Sequence, residues 1–274
     1  MPLLNRNAVL EIEDRGTSVS LNTRINFDIT KDNFPYSNKG AINVYNLSKN
    51  SQSLIESETA NYNLKTGYID QAPISLFICQ RDIRNGIHTE RSGPDVITKL
   101  ECGDSEAAIQ KIISLSYNGA VNAQDIITRC IESLSENGVS IGYISDNVNY
   151  KIINNGFTAF SSILQVLDQM ANLCNFEWSI QDREIFILNR NETIPRGTTL
   201  GSGEGLEGFV IGSVIKSETK VEFKCWLNTD LKIGAPIVLK SEIVGEVNLK
   251  LLRVQHVGDS WEGPWESRCE GLLL

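Results

Sequence analysis

The stretch VEFKCWLN, residues 221 to 228, constrains the fold most, because its apolar residues fall on every second position. Val221, Phe223, Cys225 and Leu227 share one face, while Glu222, Lys224 and Trp226 share the other, which is the period of a half-buried strand. Asn, Asp and Gly between Asn228 and Gly234 predict a turn, after which Ile237 and Leu239 begin a second strand within Ala235 to Leu239. From Gly245 to Val257 the apolar phase runs Val247, Leu249, Leu251 and then slips to Leu252, Val254, His256. A slip of one residue predicts a bulge near Leu251. Trp265 to Cys269 reads as a final short strand.

The beginning of the chain repeats this texture. Leu10 and Ile12 alternate with Glu11 and Glu13 before Asp14-Arg15-Gly16, predicting a hairpin with a long second strand. In that strand Val19, Leu21, Thr23, Ile25, Phe27 and Ile29 share one phase, and Ser18, Ser20, Asn22, Arg24, Asn26 and Asp28 the other. Ala41 to Leu47 reads as another strand and Ser51 to Glu58 as a short helix. Asn85-Gly86 predicts a tight hairpin between the runs Ile74 to Ile83 and Ile87 to Thr89, and the ribbon continues through Val96 to Cys102. The middle differs. Asn122 caps a predicted helix over Ala123 to Glu136, with Ile126, Ile127, Cys130, Ile131 and Leu134 on one stripe and Gly138 at its end. A second helix is predicted over about Thr158 to Leu173, followed by a hairpin in which Phe176, Trp178 and Ile180 precede Gln181-Asp182-Arg183 and Ile185 and Ile187 follow it.

These patterns predict a mainly β, α+β fold: two small β-barrel or sandwich domains flanking an α/β insertion. The expected boundaries are 1–103 for the first barrel, 104–190 for the insertion, 191–205 for a linker rich in glycine, and 206–274 for the second barrel. At 274 residues the chain is long enough for a substantial core.

Composition narrows the function. There are 34 acidic against 25 basic residues, a formal net charge of -9 with no Lys/Arg-rich run, which argues against a nucleic-acid groove held by counterion release. Cysteines at 79, 102, 130, 174, 225 and 269 are far apart and form no C-x-x-C pair, so they read as free buried thiols rather than a disulfide or zinc framework. No apolar run approaches the roughly 20 residues of a membrane span, and Met1 to Asp14 lacks a signal-peptide apolar core. No membrane insertion is expected, and synthesis is expected in a cytosol.

Several spaced pieces carry a resemblance. In order, Ile211-Gly212-Ser213, the Leu227-Asn228 to Leu231 and Gly234 turn, His256, Gly258-Asp259 and Trp265 resemble the closing domain of baseplate hub proteins from contractile-tailed bacteriophages. The strand ending INFDITK, then AINVYNLS and NLKTGYI, is similar to the opening domain of the same proteins. The resemblance covers almost the whole chain, with the middle least distinctive. It implies tail-tube-like barrels and a homotrimeric structural protein of the virion, made in the host bacterial cytoplasm. Such a hub adapts the sixfold tail tube, or a tube-terminating protein, above it to the threefold central spike below, beside baseplate wedge or inner baseplate proteins. Genomic DNA passes through the centre without specific binding.

No constellation of catalytic, cofactor or metal residues stands out, so neither an enzyme nor a cofactor is expected. His88 reads as an exposed strand residue. His256 beside Gly258-Asp259 has no nucleophile-elbow context and reads as structural. Gly201 to Gly205 lacks the G-K-[ST] ending of a phosphate loop and reads as linker. Asn22, Arg24, Asn26 and Asp28 are candidates for a face toward the channel or the neighbouring tube ring, in a lumen expected to be acidic. Asp259, Trp261 and Trp265, with His256, are candidates for a loop or interface. A different reading takes Trp261 and Trp265 as a sugar platform in a carbohydrate-binding or polysaccharide-degrading tail module.

Overall fold

The computed structural model describes residues 6–33, 38–68, 71–81, 86–201, 208–242 and 244–274. The expected Asn85-Gly86 turn falls partly, and the Gly201 to Gly205 loop mostly, outside these residues.

The first strand-rich unit comprises β1 (Arg6–Asp14), β2 (Thr17–Leu21), β3 (Ile25–Asp32), β4 (Lys39–Tyr45), α1 (Lys49–Ile55), β5 (Asn61–Tyr68), β6 (Ile74–Arg81), β7 (Ile87–Ser92) and β8 (Asp95–Gly103). Its strands lie in the order β3-β4-β8-β6-β5-β1-β2, with β7 also on β8. The β1–β2 turn forms where expected, with Arg15 and Gly16 both at positive φ (47° and 83°), as a two-residue turn with right-handed strand twist requires. The long second strand does not form as one piece. It breaks at Asn22 to Arg24, because Leu21 ends the ladder with β1 while Ile25 opens a different ladder with β4. The expected hairpin between the runs around 74–83 and 87–89 is also replaced. Among the described residues β7 pairs with β8 alone, across Gly93 at φ 60° and Pro94, while β6 pairs with β5 and touches only the end of β8.

The middle segment contains α2 (Glu106–Ile109), β9 (Ile112–Tyr117), β10 (Val121–Asn122), α3 (Ala123–Ser135), β11 (Ser140–Ile144), β12 (Ile152–Ile153), β13 (Phe157–Ser162), α4 (Ile163–Cys174), β14 (Phe176–Gln181) and β15 (Glu184–Asn189). Helix α3 is capped by Asn122, whose side chain accepts from the Gln124 N–H at 3.0 Å, and its predicted stripe is buried. The second helix starts later than predicted. Residues 157–162 are a strand paired with β9, and the Ser162 hydroxyl caps α4 by accepting from Gln165 N–H. Asn175 ends α4 in the left-handed conformation at φ 58°, a geometry Asn tolerates. The predicted hairpin is β14–β15, and β11 adds to it in parallel. Helices α3 and α4 share one core with Trp178, Ile185 and Ile187 of this sheet and with Ile113, Leu115 and Phe157 of the β9–β13 ribbon.

The second strand-rich unit contains β16 (Thr198–Gly201), β17 (Gly208–Lys216), β18 (Lys220–Trp226), β19 (Pro236–Ser241), β20 (Gly245–Asp259) and β21 (Trp265–Leu273). Its order β19-β16-β17-β18-β21-β20 closes through β19–β20 pairing into a barrel. Strand β16 lies inside the stretch expected to be a linker; Thr198 and Leu200 point into the barrel, and that burial recruits the segment. The predicted bulge in β20 falls at Leu252, between the register pairs Leu251–Gly271 and Arg253–Glu270. Its consequence is architectural. Before the bulge β20 pairs with β19, and after it residues 253–259 pair with residues 26–32 of β3. One strand therefore belongs to both units, and fourteen strands form a single connected sheet.

Candidate functional site

The β3–β20 seam brings together residues more than 230 positions apart. Arg24, at the entrance to β3, donates from Nη2 to Asp259 Oδ2 at 2.8 Å and from Nε to both carboxylate oxygens at 3.2 and 3.3 Å. Burial works against the Asp259 charge, but Arg24 and the backbone N–H groups of Trp261 and Glu262 outweigh it and hold the carboxyl below its usual range. The guanidinium also lies 4.8 Å from the Tyr45 ring centroid and 5.5 Å from that of Trp261. Ser260 exchanges backbone and hydroxyl hydrogen bonds with Ile25. Arg24 is thus a clamp between the units rather than a free channel-facing cation.

The other expected site residues separate into buried and exposed sets. Trp265 is 7% exposed, stacked edge-on against Phe27 at 5.5 Å with Arg6 over its ring, while Trp261 is 73% exposed. They do not form a paired aromatic platform, because one ring supports the seam and the other faces solvent. His256 is buried in β20 with Nδ1 2.9 Å from the Ser267 hydroxyl. Burial, with Lys31 adding to it, pushes its pKa well below the ordinary histidine value, so the ring is neutral and held by Ser267 rather than by the Gly258-Asp259 turn. His88 is exposed on β7, as expected.

Asn26 and Asp28 lie on the outward side of β3. Asn26 accepts from Asn43 Nδ2 at 3.2 Å, and Asp28 accepts from Gln255 Nε2 at 2.8 Å; Asn22 is exposed at the break before β3. Their side of the sheet continues across β17-β18-β21-β20-β3-β4-β8-β7 as a polar face of both signs. Its cations meet carboxylates: Lys220 with Glu270 and Arg253 with Asp32 (3.9 Å) across strands, and Arg268 with Glu266 along β21. This face is not uniformly acidic. The chain's negative charge is concentrated in residues 104–190, which hold ten acidic and five basic residues.

Two buried lysines fix the α/β segment to the seam. Lys31 Nζ, on β3, lies 2.6 and 2.8 Å from the carboxylate oxygens of Asp182 and 2.7 Å from the Leu76 carbonyl. Lys250 Nζ, on β20, lies 2.7 Å from Glu177. Asp182 and Arg183 form the β14–β15 turn at φ 52° and 66°, and Arg183 donates to Asn61 at 2.8 Å. Beneath them Asp104 accepts from Asn38, Ser105 and the Asp182 N–H, and burial pushes its carboxyl up to about 6. The sequence reading missed both lysines; for Lys31 a signal existed, because it continues the inward phase of Ile25, Phe27 and Ile29, whereas Lys250 takes the opposite phase between inward Leu249 and Leu251 and is buried on the outer side of the barrel wall by Glu177.

All six cysteines are free and buried. Among the described residues no group of three His, Cys, Asp or Glu side chains is placed to hold a metal ion, and no helix is long and apolar enough to cross a membrane.

Comparison with solved structures returns tail proteins. A prophage MuSo2 43 kDa tail protein from Shewanella oneidensis aligns with a TM-score of 0.62 at 8% identity, covering 96% of this chain and 97% of that one. A tail protein from Neisseria meningitidis MC58 aligns at 0.58 and 9% identity over 97% and 96%. The E. coli c3393 protein, a type VI secretion system component described as structurally similar to T4 bacteriophage tail proteins gp27 and gp5, aligns at 0.64 and 10% identity, over 96% of this chain and 76% of that one. At such identities these likenesses establish the fold alone. A comparison with curated protein sequences finds no match. The sequence profile of the Baseplate hub gp41 family, however, matches residues 6–252. With nine-tenths of its length inside that profile, the chain belongs to the baseplate hub gp41 family of structural tail proteins.

Proposed function

We propose that this chain forms a homotrimeric hub in a contractile tail, joining a sixfold tube above to a threefold spike below and enclosing part of the genome channel. The observation that supports this reading is a repeat in connectivity. In the first unit the sheet order is β3-β4-β8-β7, and in the second it is β17-β18-β21-β20. Each is a hairpin, followed by the last strand of the unit and then that strand's own hairpin partner. The outer edge of β20 is taken by β3 of the same chain. The equivalent edge of β7 pairs with nothing among the described residues, nor does that of β17 beyond Phe209. A neighbouring copy placing β17 against β7 would repeat the internal junction, and because the two edges differ the contact is head-to-tail and can close a ring. Three copies would present six like units.

The proposed division follows the sequence, with 1–103 and 206–274 as tube-like units, 104–190 as the α/β part and 191–205 as their connection, except that β16 within that connection joins the second barrel. The proposed channel wall is the polar face that includes Asn26 and Asp28. Its paired charges leave few free cations to hold phosphates by counterion release, so DNA would pass without specific binding. The tube or its terminating protein, the spike and the inner baseplate proteins are the proposed neighbours, the virion tail the proposed location, and the host cytoplasm the place of synthesis. Neither catalysis nor a cofactor enters this reading.

Light scattering and electron-microscopy class averages of the purified protein, alone and with its spike, test it. A threefold ring with an open centre is expected. A chain that stays monomeric with the spike present refutes it and would turn attention to a glycan-binding assay.

A further inference from the structure

The repeat between the two units extends to side chains and turns. Strands β4 and β18 occupy the same place in the two sheet orders, are each seven residues long, and each end on an aromatic residue, Tyr45 and Trp226. Opposite that residue stands the one that enters the neighbouring strand. Arg24 faces Tyr45 and Phe209 faces Trp226, each one place beyond the register pairs Ile25–Val44 and Val210–Cys225. In both units the two side chains pack together: the Arg24 guanidinium lies 4.8 Å from the Tyr45 ring centroid, and the Phe209 and Trp226 centroids are 5.5 Å apart. The hairpins on the far side of each unit match as well. Strand β7 leads to β8 through Gly93-Pro94, and β20 leads to β21 through a turn that closes on Gly263-Pro264, with both glycines at positive φ (60° and 85°).

Inside the chain, the turn of the second unit covers the side-chain pair of the first. Asp259 holds Arg24, and the Trp261 ring lies 5.5 Å from the guanidinium. The equivalent pair in the second unit is open: Phe209 is 47% exposed, and with Trp226 it lines a cavity of about 370 Å³ whose other walls include Tyr68, Ile74 and Trp265. The equivalent turn in the first unit, Ser92-Gly93-Pro94, is exposed too. Charge changes on both sides at once. Phe209 stands where Arg24 does, and Ser92, the last residue of β7, stands where Asp259 ends β20, so the ionic pair of the internal contact is replaced by two neutral residues.

We propose that Phe209 and Trp226 are the seat for the Ser92-Gly93-Pro94 turn of a second copy of this chain, with the proline packed on the two aromatic rings. This inference rests on the head-to-tail reading given above, which names the β17 and β7 edges, and it adds the side chains that lock them. The occupant is a second copy because the chain already covers the equivalent pair with the equivalent turn, and head-to-tail closure brings the two open surfaces together. Gly201 of β16 pairs beside Phe209, so the turn meets the side chain of Phe209 and not its backbone. The two-residue connection between β7 and β8 leaves room for that strand, where the five residues of 260–264 would not.

The test replaces Phe209 and Pro94 by cysteine in the full chain, whose six native thiols are buried, and treats the purified protein with a short bismaleimide while its spike is present. Phe209→Cys combined with Pro94→Cys should give covalent dimers and trimers on a denaturing gel, and either single variant should give neither. Light scattering of the same samples reports assembly independently. Phe209→Asp should raise the dissociation constant of the trimer about tenfold or more, the scale of losing an interface anchor. It should keep the wild-type melting curve in the dissociated chain, since Phe209 lies in neither barrel core. Trimers that form without covalent products from the double variant, covalent products from a single variant, or unchanged trimer affinity in Phe209→Asp would each overturn this contact and leave the head-to-tail reading standing. A chain that stays monomeric with the spike present overturns both.

Discussion

Replacing Asp182 by Asn removes the carboxylate in direct contact with Lys31 while leaving nearly every backbone demand intact. Asn tolerates the positive φ of 52° at this turn, and the Asp182 N–H still donates to Asp104. What changes is the ammonium of Lys31, whose side chain is 6% exposed and which has two Asp182 oxygens within 2.8 Å. Breaking one partner of a buried pair costs about 3–5 kcal/mol, because the remaining charge is stranded. The Leu76 carbonyl still accepts from Lys31, and the Asp182 side chain is 24% exposed, so the lower end, about 3 kcal/mol, is expected. That corresponds to more than a hundredfold in the folding equilibrium. Adding Lys31→Met to Asp182→Asn should recover at least about 1 kcal/mol, since no ammonium is then buried without its carboxylate. Urea titrations followed by tryptophan fluorescence, with Trp178 in β14 reporting the α/β segment, measure all three variants. A cost below about 1 kcal/mol for Asp182→Asn, or a double variant weaker than the single, would refute the view that a buried charge holds this junction.

Gly258→Ala should cost about 1–3 kcal/mol by overpacking, because a Cβ there would approach Phe27 to 2.3 Å and Trp265 to 2.8 Å; a melting curve like that of the wild type would contradict this packing. Arg24→Lys should lose about 1–2 kcal/mol despite keeping the charge, since an ammonium cannot make the two-pronged contact with Asp259; denaturant midpoints at low and high salt measure it. The pH dependence carries two opposed contributions. Asp104 releases its proton near 3.8 when unfolded and near about 6 when folded, so its stabilising contribution is complete below pH 3.8 and is lost as the pH rises through 6. His256 is protonated near 6.5 when unfolded and resists protonation when folded, so its contribution is present above 6.5 and lost as the pH falls. Just below pH 6 the two oppose each other. His256→Asn, which keeps an acceptor for Ser267, should therefore make stability fall with rising pH more steeply than the wild type by about 1.4 kcal/mol per pH unit; identical slopes would rule out the buried neutral imidazole.

Local features were the legible part of the fold. The alternation of β18, the slip in β20, the Asn122 cap and the β14–β15 turn all depend on residues within one or two turns of chain, where side-chain periodicity speaks directly. The break between β2 and β3 was hidden because residues 18 to 29 keep one uninterrupted phase; a change of partner strand leaves no mark on alternation. Strand β13 was read as helix because Phe157 and Ala159 run directly into the apolar stripe of α4, and only Ser162 marks the boundary. Partnership across the seam was the least legible. Arg24 and Asp259 were singled out separately, for different reasons, and nothing in either local pattern says that they touch.

The seam bears on the proposed ring through rigidity. Seven consecutive residue pairs join β20 to β3, the Arg24–Asp259 clamp closes one end of that ladder, and the Lys31 and Lys250 bridges tie its inner side to the α/β segment. The angle between the two units is thereby set within each chain by a hydrogen-bonded ladder rather than by a flexible connection. A ring of like units requires that angle to match the one between neighbouring chains, and a flexible connection would charge the entropy of fixing it to assembly itself. With the angle already fixed in the fold, each added chain has only its own position and orientation left to lose. The bulge at Leu252 is what permits this, because it turns the later part of β20 away from β19 and toward β3.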